Sequence, residues 1–505
     1  MISLSKAIAC AVLFAHYASA APAVSYSAAT SSASVASSTS ISASTSSSIV
    51  SVSSVTSSIA SASTAASAPA ASPTVPYASD DPNGILWGLN TDPDPQAIRG
   101  SLGATIMGPQ NIAIDQQNPD LLAPPSTDAG SIQNAKWPFG LSHNRLQTGG
   151  WARQENIDVM PIAQSMAGVN MRLEAGAIRE LHWHKTAEWS YVLNGSVQVS
   201  AVNADGQNFL ATVSAGDLWY FPPGIPHSLQ ATADNPNGAE FLLVFDNGAF
   251  SEDSTFLVRH IYNLTLYGYS HGLQLTDWMA HVPKEVIAKN FQVNISAFDH
   301  IPGSELYIFP SCMSPSTIAG VALDYTPTAP PPDNAQAPED PQGQVPSPFI
   351  FRMSQVSATQ LSGGSVKVVD STTFQVSTSI AVAEVTVEPG AMREMHWHPT
   401  QDEWTYYISG QGRVTVFGSS SNARTFNYEP GDVGFIPASF GHYVENTSNT
   451  TLRYLEIFNT DRFQDISLNQ WLALTPPDLV KAHLQLDDET ISHLSKTKPI
   501  VIGPQ

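Results

Sequence analysis

From residue 189 onward, short runs of Val, Ile, Leu, Tyr and Phe alternate with clusters of Gly, Pro, Asn and Asp. Residues 189–193, 197–202, 218–221 and 241–245 are the clearest runs. Runs this short and this evenly spaced predict β-strands joined by tight turns, and so many of them predict an all-β barrel or sandwich. Two stretches break the pattern. Across residues 275–290 and 468–484 apolar positions recur at helical spacing, which predicts a short helical segment after each barrel.

The pattern occurs twice. Gly176-Ala-Ile-Arg-Glu-Leu-His-Trp-His184 returns as Gly390-Ala-Met-Arg-Glu-Met-His-Trp-His398. Gly216-Asp217 returns as Gly431-Asp432, His227 as His442, and Pro138-Phe139 with Gly149-Gly150 as Pro348-Phe349 with Gly363-Gly364. The period is far too long for a solenoid, so two whole domains are expected. The boundaries expected are 80–325 for an N-terminal arm and first domain, 326–347 for a stiff Pro-rich linker, and 348–505 for the second domain.

The first 79 residues have a different character. Lys6 precedes a short apolar run, and Ala18-Ser19-Ala20 supplies the small residues a signal peptidase needs, so residues 1–20 read as a signal peptide. Residues 21–79 are almost all Ser, Ala, Thr and Val without a charge, and read as a disordered, O-glycosylated stalk. Five Asn-x-Ser/Thr sequons, at Asn194, Asn263, Asn294, Asn446 and Asn449, fit an exported glycoprotein. With Cys10 lost to processing, Cys312 is left alone and no internal disulfide is expected. The expectation is a secreted protein, with the stalk a candidate tether to a cell wall. A formal charge of −22 argues against nucleic acid and anionic membranes as partners, and no segment has the length to insert into a bilayer. It does not exclude a small anionic substrate, because a local metal and arginine outweigh distant, screened charge.

The candidate chemistry lies in the repeat. His182-x-His184 and His396-x-His398 place two imidazoles on one face of a strand. Glu188 follows His184 by four residues and would share that face on a straight strand; Glu403 follows His398 by five, so a bulge or turn is required in one of the two. Gly195 and Gly410 close these segments where a hairpin needs positive φ. His227 and His442 return on a second strand after a turn, in which Ser439 replaces the glycine at position 224. His182, His184, Glu188 and His227, and again His396, His398, Glu403 and His442, thus form two candidate metal sites. Nitrogen and oxygen donors without thiolate suit manganese or iron, with zinc and copper as contaminants, and leave two adjacent octahedral positions open.

These paired motifs resemble those of the cupin superfamily. That implies an all-β fold of two tandem cupin β-barrels (double-stranded β-helix, or jelly roll) with short peripheral helices. Together with the stretch from Asp217 to Pro222 and the run Ser251-Glu-Asp-Ser-Thr255, they are similar to the secreted bicupin oxalate decarboxylases over nearly all of residues 80–505. The resemblance implies two Mn2+ ions per chain, dioxygen as a cofactor, oxalate as substrate, formate and carbon dioxide as products, and a homo-oligomer of hexamer type. It also implies roles. Arg179 holds and polarises the substrate carboxylate, Arg393 standing at the same place in the second domain. Glu252, on a mobile lid steered by Ser251 and Thr255, takes a proton from oxalate and later protonates the carbon. Glu456, where the first repeat has Leu243, is an alternative acid/base in the second domain, and Asp465 takes the lid position there. Catalysis is expected mainly in the first domain.

One segment departs from the family pattern: residues 257–273 interrupt the run from Phe256 to Gln274. It is either a real insertion or a translated unspliced intron, and peptide mapping distinguishes them. Three other functions stay open at this point. They are an oxalate oxidase releasing hydrogen peroxide, a non-enzymatic metal-binding bicupin, and a cupin dioxygenase acting on an aromatic substrate.

Overall fold

The computed structural model describes residues 86, 88–233, 235–252, 272–311 and 336–504. The expected signal peptide and stalk, Asp253 to Thr255 of the expected lid, residues 257–271 and Cys312 lie outside the described residues. Each repeat folds into two antiparallel sheets. In the first, strand Ile178–His184 lies between His227–Ala231 and the short Gly272–Gln274, with Ile308–Phe309 also paired to it. The opposing sheet orders Leu218–Phe221, Glu188–Asn194, Ala239–Phe245, Ala167–Leu173 and Gly150–Glu155. The second repeat copies both, with Met392–Trp397 and Glu403–Ser409 in the matching places.

Alternation along the strands explains the packing. In Glu188–Asn194, Glu188, Ser190 and Val192 fall on one face and Trp189 and Tyr191 on the other, yet all five are buried. Val192 joins Val169, Trp219 and Phe241 inside the first barrel. Trp189 and Tyr191 join Val382, Trp404, Phe435 and Ile457 in a cluster shared by both repeats. Both faces of these strands are therefore covered, which is why they read as near-continuous apolar runs. The repeats also exchange edge strands. Ile350–Phe351, just after the linker, pairs with Leu218–Phe221 of the first barrel. Lys136–Pro138, before the first barrel, pairs with Asp432–Ile436 of the second.

Several local expectations are refined. The helical stretch after each barrel is two helices broken by proline: Leu275–Ala280 and Lys284–Phe291 flank Pro283, and Leu468–Leu474 and Pro477–Leu484 flank Pro476. Proline lacks the amide that would carry the helix through. Ser439 adopts φ 66°, next to 80° at Gly224, so the turn survives the replacement in the left-handed region. Gly195 and Gly410 do take positive φ, and a Cβ on Gly195 would meet the Gly238 carbonyl oxygen at 2.1 Å. The Asn446 sequon cannot carry sugar in this fold: its side chain is buried and donates to the Val387 and Thr450 carbonyls at 2.8 Å. Among the described residues no helix is long and apolar enough to cross a membrane.

Candidate metal and catalytic centres

The three imidazoles of each centre arrive from one sheet and the carboxylate from the other. His182 and His227 are directly opposed across Ile178–His184 and His227–Ala231, as are His396 and His442. Each pair shows a register shift just beyond the histidines. The glutamates do not continue the histidine strand, as a straight-strand reading of Glu188 would have it. The chain turns between His184 and Glu188, and between His398 and Glu403, and starts a new strand in the facing sheet. A turn of either length reaches that point, which accounts for the spacing of four in one repeat and five in the other.

The result is two buried groups of donors. In each, one atom from His182, His184, Glu188 and His227, or from His396, His398, Glu403 and His442, lies within 4.8 Å of all the others. Every Nδ1 is committed to a backbone carbonyl: His182 to Glu180 at 2.6 Å, His184 to Thr186 at 2.7 Å and His227 to Ile225 at 2.7 Å. In the second centre the acceptors are Glu394, Gln464 and Phe440, at 2.7, 2.8 and 2.9 Å. A carbonyl can only accept, so each Nδ1 carries the hydrogen and each Nε2 presents a lone pair to the centre. Burial, then the charge of Arg179, pushes His182 well below the ordinary imidazole range; burial and Arg393 do the same to His396. Burial acts to raise Glu188, but positive charge on His227 and His184 outweighs it and holds the carboxyl well below its usual range, a role a bound cation would take over.

The donor set fits a divalent ion. Nε2 of His227, His396, His398 and His442 and both oxygens of Glu403 are buried without a hydrogen bond among the described residues. Orphans of this kind are costly unless something else satisfies them, and a cation with nitrogen and oxygen ligands does so.

Beside the first centre, the wholly buried Arg179 donates from Nη2 to Glu252 Oε2 at 3.0 Å and from Nη1 to Gln274 Oε1 at 2.8 Å. Among the described residues its Nε and Glu252 Oε1 make no hydrogen bond. Arg179 lies 4.3 Å from the Tyr307 ring centroid and Arg145 lies 3.6 Å from it, so two guanidinium groups pack on one phenol ring. Arg145 donates to the Glu252 carbonyl at 2.9 Å, and the Glu252 amide donates to Gln154 at 2.8 Å.

The second centre is wired differently. Arg393 reaches Asp465 at 2.7 Å and Glu456 at 3.2 Å, and Lys498 also binds Asp465. The Tyr454 hydroxyl donates to Glu456 at 2.9 Å. Burial raises the Glu456 carboxyl above its usual range, opposed by Arg393. The structure thus brings Arg179 and Glu252 to the first centre and Arg393 and Glu456 to the second, as the sequence suggests.

It adds residues that sequence reasoning missed. Glu180 accepts the amides of Thr276, Leu306 and Tyr307 at 2.7 to 2.8 Å, anchoring the histidine strand. Its repeat, Glu394, accepts from Ser467 and from the Ile500 amide. Both lie inside the duplicated motif, which was the signal available. Gln154, Gln274 and Tyr307 lie outside any duplicated motif and carried no such signal.

Two barrels, each holding a buried three-histidine, one-carboxylate centre, define a bicupin, and the chain belongs to the cupin family. The cupin family model matches residues 144–267 and 352–492. Within that family the chain belongs to the oxalate decarboxylases. It is 50% identical over 408 residues to the oxalate decarboxylase OxdC of Bacillus subtilis (strain 168), covering 81% of this chain and 97% of that one. It is 40% identical to a probable oxalate decarboxylase of Arthroderma benhamiae, covering 79% and 91% of the two chains. A solved structure of the Bacillus subtilis oxalate decarboxylase, from work assigning its Mn(II) centres, superposes with a TM-score of 0.73 at 48% identity, over 82% of this chain and all of the other.

Proposed function

We propose that this protein converts oxalate and a proton to formate and carbon dioxide, using manganese in both centres and catalysing the reaction at the first. The observation that carries the reading is the Arg179–Glu252 pair, buried beside a complete ligand set with one donor and one acceptor that make no hydrogen bond among the described residues. Bound manganese supplies Lewis acidity for a carboxylate and a redox couple, with dioxygen as the second cofactor. Arg179 Nε is the donor left to orient a substrate carboxylate. Glu252 Oε1 is the acceptor left to take its proton and, after carbon dioxide departs, to return that proton to carbon. Burial of the pair keeps bulk water from competing for that transfer.

Location and assembly belong to the same proposal. The signal-like N-terminus supports secretion, with the Ser/Thr-rich stalk a tether to the wall; N-terminal sequencing of protein from the medium tests it. Leu181, Trp278, Val286 and Phe291 on the first repeat, and Met395, Trp471, Leu474 and Leu484 on the second, expose apolar surface that supports a homo-oligomer. Light scattering of the full chain tests the expected hexamer.

The activity is tested by product analysis of metal-quantified protein given oxalate at mildly acidic pH, with and without dioxygen. Formate without stoichiometric peroxide is expected, and only when dioxygen is present. Peroxide without formate would make the protein an oxidase. Neither product, from protein loaded with manganese at both centres, would overturn the oxalate reading and leave the metal-binding bicupin or the dioxygenase.

A further inference from the structure

A cavity of about 240 Å³ lies where the two barrels meet, lined by Tyr191, Gly216, Ser354, Lys367, Glu384 and Arg453 among others. It shares no lining residue with either metal centre. Its polar wall is only partly spent. Arg453 donates from Nε to Glu384 at 3.2 Å, and from Nη2 to Glu384 at 3.1 Å and the Tyr191 hydroxyl at 2.6 Å. Among the described residues its Nη1 makes no hydrogen bond. Lys367 Nζ stands 3.8 Å from Glu384, beyond hydrogen-bond length, and has no other partner there. Two cations therefore share one carboxylate, and one positive charge is left facing the space.

The pseudo-symmetry of the fold supplies a control. Strand register equates Lys367, Glu384 and Arg453 with Arg153, Asn170 and Glu240 of the first repeat. There Arg153 donates to Asn170 at 3.0 Å and Asn170 donates to Glu240 at 3.0 Å, a chain with one cation and one anion. The duplication thus has one neutral notch and one carrying an uncompensated charge. That charge is not needed to hold the strands together, since the neutral notch does so without it.

We infer that the notch between Lys367 and Arg453 binds a small monovalent carboxylate, held by Arg453 Nη1 and Lys367 Nζ. A guanidinium edge and an ammonium around one anion match a carboxylate, and a single uncompensated charge favours a monoanion over a dianion. The strands that line it, Glu188–Asn194 and Glu403–Ser409, each begin at a metal-binding glutamate, so the bound anion bridges the scaffolds of both centres. The site stands on its own charge and size; the choice of probes rests on the oxalate reading, and the two can fail separately.

The test is equilibrium dialysis of the metal-loaded full chain against radiolabelled formate, comparing wild type with Lys367→Met and, as control, Arg153→Met. The expected result is at least a tenfold loss of affinity for one formate per chain in Lys367→Met, none in Arg153→Met, and an unchanged KM for oxalate in both. Equal formate stoichiometry and affinity in wild type and Lys367→Met would overturn the proposal, as would a formate-soaked crystal with density only at the metal centres. Lys367 is chosen first because its one ion pair is long, so its loss leaves the fold intact; Arg453→Met is the second variant. Titrating the slow Glu252→Gln holoenzyme with oxalate at mildly acidic pH separates the sources. Tighter Lys367-dependent binding of oxalate than of formate names the substrate, and the reverse names the product.

Discussion

The two centres have the same ligands and opposite surroundings. At the first, Arg179 binds a single carboxylate oxygen of Glu252, and the other makes no hydrogen bond among the described residues. At the second, the equivalent carboxylate is Asp465, one methylene shorter, clamped between Arg393 and Lys498. Burial acts to raise Asp465, but those two cations outweigh it and hold it below the usual carboxylate range. A carboxylate pinned from both sides neither swings nor picks up a proton readily. On the proposed reading, a duplicated metal site does not duplicate an active site: the ligands would fix where an ion sits, and the residue seven positions beyond Phe245 or Phe458 would decide whether proton transfer follows.

Removing a ligand should break the comparison most severely. His182→Ala is expected to leave about one metal per chain and to abolish formate production, whereas His396→Ala leaves about one metal and a substantial residual rate. Metal analysis and formate detection on both variants check this. Full activity in His182→Ala protein that lacks the first metal would move catalysis to the second centre.

The residue proposed for proton transfer comes next. Glu252→Gln should keep both metals and lower formate production by about a hundredfold or more, the size expected for loss of a general acid. Asp465→Asn should cost only a few-fold, because its clamped carboxylate has no proton to handle. The dangerous outcome lies with Glu456, whose raised carboxyl makes it the rival acid. A larger loss in Glu456→Gln than in Glu252→Gln would reverse the assignment.

A subtler contrast involves the ligand carboxylates. Trp219 donates its indole N–H to Glu188 Oε1 at 2.8 Å, fixing the carboxylate that faces the ion. By strand register Gly434 occupies that place in the second barrel, and Glu403 Oε1 makes no hydrogen bond among the described residues. Trp219→Phe should therefore weaken manganese at the first centre about tenfold, within the usual range for a lost outer hydrogen bond, and leave the second unchanged. Competition with a chelator, read by manganese resonance, resolves the two; parallel loss from both would show that Trp219 acts on the fold instead.

What was legible in the sequence follows from what duplication preserves. Strand runs, the eight ligands and both arginines sit in motifs that recur, and period-two alternation with Gly-closed turns is enough to place them. Helix breaks at Pro283 and Pro476 follow from the missing amide, which an apolar periodicity alone does not register. The exchange of Lys136–Pro138 and Ile350–Phe351 between barrels was invisible, because an edge strand reads the same whichever sheet it joins. Trp219, Gln154 and Tyr307 act through contacts that close only in three dimensions, so composition and spacing carry no trace of their partners.

The last expected effect, on stability instead of activity, tests the junction that the two barrels share. Glu155 is buried and accepts the Trp404 indole N–H at 2.8 Å. Trp404 follows the ligand Glu403, so this acid of the first repeat braces the second centre. The equivalent residue in the second repeat is Val369, which needs no proton. Burial pushes Glu155 up to about 8, against 4.5 for an ordinary glutamate. The folded chain then keeps a proton that the unfolded chain releases, so its stabilising effect is complete below pH 4.5 and declines as pH rises through 8. Across that window stability should fall by at most about 1.4 kcal/mol per pH unit from this group. Glu155→Gln, which cannot ionise, should flatten the decline. Unfolding midpoints of the two proteins from pH 5 to 9 give the answer: curves that nearly meet at pH 5, separate steadily up to about pH 8 and run parallel above it support a neutral buried acid, and curves that stay parallel throughout would mean Glu155 ionises without cost where it lies.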